Sequence, residues 1–269
     1  MQPTVGLENR GILAVGAHPD DVEIMCSGTL LMLRRLGWEI HVASLTLGDC
    51  GSLEYSNEEV RRIRQREAQR ACESLGATYQ HVGFNDLCIF NDDDSNRRVT
   101  ALVREVNPEV VITHSPQDYM SDHEVTSLLI RNACFNAPIP NYGTQAVSAA
   151  EQTHSVPYLY YSQPTEGVDI FGKEITPQFY VDIGEFRQRK RELLACHESQ
   201  RNWLSAHHGL DEYLDSVGRW NGALGERASL LGRKVISAEG FRQHLGHAYP
   251  RDNVLLALLP EQVILEPTY

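Results

Sequence analysis

The sequence predicts an α/β fold with a mainly parallel sheet, helices on both faces and a C-terminal α/β extension. Two observations lead there. Short apolar runs alternate with amphipathic stretches through the first two-thirds of the chain, several bounded by glycine or a capping residue. That strand–helix alternation needs crossover connections, which belong to parallel sheets. Composition agrees: 269 residues, 42% apolar and 22% charged, can bury a core and are not those of a disordered chain.

Gly11 to Gly16 (GILAVG) is a short apolar run suited to a strand buried on both faces. Val22 to Leu36 has helical spacing and stops at Gly37. Glu39 to Leu47 is rich in strand formers. Asn57 to Leu75 reads as a long amphipathic helix opened by Ser56 and closed by Gly76. Thr78 to Val82 follows as a strand, Ser95 to Val106 as a helix, Glu109 to Thr113 as a strand and Asp122 to Asn136 as a helix. Asp92, Asp93 and Asp94 read as a solvated loop. Ala137 to Val156, rich in Pro, Asn, Gly, Ser and Thr, reads as a long rim loop. Strands are expected near Tyr158 to Ser162 and Gln178 to Ile183, then helices near Gly184 to Cys196, Ser199 to Ala206 and Asp211 to Leu224. We expect one domain over 1–269, with the site in a core at 1–137 and the rim loop and extension at 138–269.

The chain carries 24 Lys+Arg against 36 Asp+Glu, a net charge of −12. That balance argues against nucleic acid and against a polybasic membrane anchor. No apolar run approaches the ~18 residues of a membrane span, and the first residues lack the basic-then-apolar pattern of a secretory signal. Cys26, Cys50, Cys72, Cys88, Cys134 and Cys196 are scattered without a C-x-x-C pair. They read as reduced thiols, and a cytoplasmic location is expected.

The chemistry concentrates after two strands. Ala17-His18-Pro19-Asp20-Asp21 directly follows the first, and in an open α/β sheet ligands bind at the carboxyl ends of strands where strand order reverses. His114 to His123 (HSPQDYMSDH) follows the strand ending at Thr113. If the two strands are neighbours, His123 can meet His18 and Asp21. A His/Asp/His set suits Zn²⁺ with a position left open for water. Asp20 then remains free as a general base.

With both motifs in order, the sequence resembles the zinc-dependent N-acetylglucosaminyl deacetylases related to the PIG-L and LmbE proteins, marked by A-H-P-D-D and a later D-H pair, here Asp122-His123. Thr46-Leu47-Gly48-Asp49, Arg64-x-x-Glu67, His197-Glu198-Ser199-Gln200 and Ala238-Glu239-Gly240-Phe241-Arg242 add to it. The resemblance covers residues 11–136 well and implies a Rossmann-like core. It implies Zn²⁺ held by His18, Asp21 and His123, Asp20 as base, and Arg64 contacting substrate. The implied reaction releases acetate from an N-acetyl sugar conjugate, a small-molecule partner, and relatives often self-associate, so a homo-oligomer is compatible.

Some members carry a histidine three residues before the zinc-binding one, thought to help the oxyanion; here Met120 stands there and cannot donate a hydrogen bond. His197 is the expected substitute, with Asp122 orienting it. Asp49 and His114 are read as substrate-binding. Trp203, Tyr119 and Trp220 could stack on a sugar, with core packing the default. His207-His208-Gly209 reads as a helix end.

A dinucleotide site is disfavoured because Gly11-x-x-x-x-Gly16 is not G-x-G-x-x-G and two aspartates would repel a pyrophosphate. No G-x-S-x-G elbow occurs, and Ser127 stands where a zincin needs its second histidine. A non-catalytic or altered-specificity carbohydrate- or metal-binding relative is the alternative, against which the retained Asp20 weighs.

Overall fold

The structure is a computed structural model and describes residues 10–208 and 212–267. Its strands are β1 (Gly11–Gly16), β2 (Glu39–Ser44), β3 (Thr78–His81), β4 (Val110–Thr113), β5 (Tyr158–Ser162), β6 (Phe179–Asp182), β7 (Ala238–Gln243) and β8 (Val263–Leu265). The helices are α1 (Asp21–Met25), α2 (Ser27–Arg35), α3 (Asn57–Leu75), α4 (Asp93–Val106), α5 (Ser121–Asn136), α6 (Arg187–Leu194), α7 (Glu198–His208), α8 (Glu212–Ser229) and α9 (Val254–Leu258). The start of the helix expected from Asp211, and the His207-His208-Gly209 side chains, lie outside the described residues.

One eight-stranded sheet runs β3-β2-β1-β4-β5-β7-β6-β8. The first five strands are parallel, and β7, β6 and β8 join antiparallel. Every residue of β1 is buried, because the strand alternates between two cores. Ile12 and Ala14 pack with Ile40, Ile112 and Phe179 on one face; Leu13 and Val15 pack with Val111, Leu129 and Leu159 on the other. Burial on both faces explains the unbroken apolar run in the sequence.

α3 runs as expected, because Ser56 and Glu59 form a reciprocal capping box and Gly76 closes the helix at φ +78°. The predicted helix from Val22 is two helices, broken at Cys26. The three aspartates are a helix N-terminus and not a loop. Asp92 accepts from the Ser95 amide, while Asp93 and Asp94 sit in the first turn of α4 and pair with Arg97 and Arg98. Residues 138–156 form no strand or helix. They are tied down by Arg104, which donates to the Ala137 and Ile139 carbonyls and to Thr144, and by Arg97, which donates to the Gly143 carbonyl.

Candidate active site

β1 pairs directly with β4 where strand order reverses, so the loops after both strands open at the same end of the sheet. The turn after β1 is tight. A Cβ at Gly16 would collide with Asp21, and the His18 amide donates to Asp21 Oδ2 at 2.6 Å. This fold of the backbone aims His18 and Asp21 at one point, and the β4 loop and α5 bring His123 to it.

His18, Asp21 and His123 each offer a ligand atom within 4.8 Å of the others. His18 Nδ1 lies 3.4 Å from Asp21 Oδ2, and His123 Nε2 lies 3.6 Å from Asp21 Oδ1. The other nitrogens face carboxylates: His123 Nδ1 donates to Asp118 Oδ1 at 2.9 Å, and His18 Nε2 lies 3.2 Å from Asp86 Oδ1 and 3.6 Å from Asp122 Oδ2. Carboxylates behind the imidazoles are the usual support of histidine metal ligands. His18 Nε2 and Asp86 Oδ1 are buried without an aligned hydrogen bond. The donor set and its backing therefore fit a divalent metal ion of borderline softness.

The electrostatics follow from the same contacts. Burial opposes charge on His18, but Asp122, Asp21 and Asp86 outweigh it and hold its pKa well above the ordinary imidazole value. Burial opposes charge on His123 too, and Asp21 and Asp118 raise it. Burial would lift Asp21, yet His123, His114 and His18 hold it well below the usual carboxylate range. His114 is lowered by burial and by His123.

His114 both lines the cavity and belongs to this cluster. Its ring stacks on His123 with centroids 4.0 Å apart, and its Nε2 lies 3.0 Å from Asp21 Oδ2 and from the Ala17 amide nitrogen. Asp20 is 6% exposed, lines the cavity and accepts a hydrogen bond from the Tyr213 hydroxyl. Arg64 also lines the cavity and donates to Gln200. It forms no helix-surface pair with Glu67, whose carboxylate instead accepts from the Ser199 amide and hydroxyl at 2.9 and 2.5 Å.

Two expectations are redirected. His197 is not on the cavity wall; it is buried with Nε2 3.4 Å from Glu23 Oε2, because the start of α7 turns it toward α1. Asp122 does not orient it, but accepts from the Leu87 amide and faces His18. Asp49 is also absent from the main cavity, since Arg61 Nε holds it at 2.6 Å in an adjoining depression. Asp118, Asp86, Gln200 and Tyr213 were missed. Asp118 leaves a trace as a carboxylate in the loop leading into α5, five residues before His123, and Gln200 as the last residue of the His197-Glu198-Ser199-Gln200 stretch.

The cavity measures about 940 Å³ and is lined by the metal cluster, Arg64, Met120, the 162–168 segment, and α7 and α8. Tyr119, Trp203 and Trp220 all lie on its wall, whereas residues 137–156 do not.

Fold and site together define an α/β protein with a buried histidine–carboxylate cluster able to hold a metal ion at the strand-order reversal. Residues 13–134 match the sequence model of the family described as PIG-L, GlcNAc-PI de-N-acetylase. Over those residues the chain resembles the PIG-L/LmbE-like deacetylases. It is 25% identical over 251 residues to a 4-oxalmesaconate hydratase of Pseudomonas putida, covering 90% of this chain and 92% of that one. It is 26% identical over 199 residues to a diacetylchitobiose deacetylase of Thermococcus kodakarensis, covering 71% and 70%. The N,N′-diacetylchitobiose deacetylase structure from Pyrococcus horikoshii shares the fold, with a TM-score of 0.74 at 20% identity over 94% of this chain and 92% of that one. Among the described residues no helix is long and apolar enough to cross a membrane.

Proposed function

We propose that this protein is a zinc-dependent amide hydrolase that removes the N-acetyl group from N-acetylglucosamine-type sugar conjugates. The observation that carries this reading is Asp20. It is a buried carboxylate on the cavity wall, next in sequence to Asp21 yet outside the His18, Asp21 and His123 set. A bound Zn²⁺ would supply Lewis-acid polarisation of the carbonyl and make water a better nucleophile. Asp20 takes the water's proton as its oxygen adds to the acetyl carbon. It returns that proton to nitrogen as the C–N bond breaks, so acetate and the free amine leave. Arg64, backed by Gln200, offers donors to sugar hydroxyls.

The wall supports a neutral substrate. Asp20, Asp21, Asp86, Asp118, Glu166, Glu174 and Glu239 face the cavity, against Arg64, with Glu174 and Glu239 already paired with Arg227 and Lys190. Even with a dication bound, that field favours a neutral amide and a departing ammonium over a polyanion. A second reading, addition of water to a conjugated double bond, is favoured by the end-to-end similarity to the 4-oxalmesaconate hydratase. It would need the same base, and its multiply charged substrate would meet an acidic wall.

The test is a zinc-loaded assay of N-acetylglucosamine, N,N′-diacetylchitobiose and 4-oxalmesaconate. Acetate release from an amide supports the proposal. Loss of the conjugated absorbance of 4-oxalmesaconate with no acetate from either amide overturns it in favour of hydration.

A further inference from the structure

We propose that Tyr213 is the positioning residue of Asp20: its hydroxyl holds Oδ2, leaving Oδ1 as the oxygen that takes the proton of the attacking water. The inference rests on the reading of Asp20 as the base. Tyr213 comes from α8, in the C-terminal extension and outside residues 13–134. Its hydroxyl donates to Asp20 Oδ2, and the Asp20 carboxylate has no other hydrogen-bond partner among the described residues. A carboxylate has two equivalent oxygens and one soft torsion. One fixed donor removes that equivalence, since the bonded oxygen is the poorer proton acceptor and the carboxylate can no longer be swapped end for end.

The donor is itself held. Tyr213 packs against the cluster of Leu194, Leu214 and Val217, where Ile24 of α1 also sits. The turn that follows Asp20 and the helix that carries Tyr213 therefore share one apolar contact. Burial first, and the Asp20 charge next, keep the phenol well above its ordinary pKa, so it stays a donor. Met120, on the same wall, offers no donor. The polar contact to the base is thus supplied by the extension and not by the loop that leads into α5.

Tyr213→Phe keeps the ring and deletes the donor. In the zinc-loaded full chain, with N-acetylglucosamine and N,N′-diacetylchitobiose as probes, kcat is expected to fall tenfold or more while KM stays within twofold and zinc content is unchanged. A second measurement does not use activity. Tyr213→Phe should lower the thermal midpoint of the wild type and leave that of Asp20→Ala unchanged, because the lost contact is already absent there. An active wild type whose kcat survives Tyr213→Phe, or equal midpoint shifts in both backgrounds, would overturn this inference alone. A wild type that releases acetate from neither probe would overturn the reading of the reaction and this inference with it.

Discussion

Asp118 Oδ1 lies 2.9 Å from His123 Nδ1, and both side chains are almost wholly buried. The contact fixes the ring's orientation and tautomer, so Nε2 faces Asp21. Removing such a carboxylate typically weakens metal binding about 10–100-fold. Asp118→Ala should therefore lose zinc affinity by that order in a chelator competition, while His114 still stacks on His123. Unchanged affinity would show that Asp118 does not orient the ligand.

Metal binding should release protons. His18 and His123 both have raised pKa values in the metal-free site. A raised group contributes stability that is fully present below its unfolded pKa, near ~6.5 for histidine, and lost as pH rises through its folded value. Low pH therefore favours the metal-free protein at these residues. Because a metal needs neutral imidazoles, affinity should rise from about pH 6 to about pH 8. Calorimetry in buffers of different ionisation enthalpy reads the protons released at pH 7. Zinc binding with no proton release would contradict the assignment of both histidines as ligands.

A buried ion pair within the extension is tied to the helices beside the site, Lys190 through the Ile24 carbonyl and Glu239 through the start of α2. Lys190 Nζ lies 2.6 Å from Glu239 Oε1, with side chains 3% and 0% exposed. Glu239 also accepts from the Gly28 and Thr29 amides at the start of α2. Breaking the pair leaves a buried charge without its cation, which costs about 3–5 kcal/mol. Lys190→Ala should lower the thermal midpoint accordingly, and adding Glu239→Gln should recover part of the loss. A midpoint equal to the wild type would remove the pair as an anchor.

The parts of the molecule legible in the sequence are those written locally. α3 was readable because its cap and its terminal Gly76 sit in the chain beside it. β1 and β4 were readable as apolar runs, and their pairing put His18 beside His123. β7 was not readable: Ala238–Gln243 mixes Glu, Gly, Arg and Gln, and only Glu239's bonds to Lys190 and the start of α2 make a buried glutamate tolerable there. α8 continues past the expected end at Leu224, through Gly225 to Ser229. Gly225 packs against the backbone of Ile236 and Ser237, which a side chain would strike. His197 was misplaced because chain position alone does not say which side of α7's start meets Glu23. Asp86 and Tyr213 act only by proximity across long stretches of chain, and single residues of that kind carry no sequence signal.

The central claim is that Asp20 moves the proton and does not hold the metal. The most direct measurement is acetate release from N,N′-diacetylchitobiose by Asp20→Asn and wild type at matched zinc content. The account predicts equal zinc and a rate lower by about 10²–10⁴-fold. Equal rates, or loss of zinc from Asp20→Asn, would contradict it.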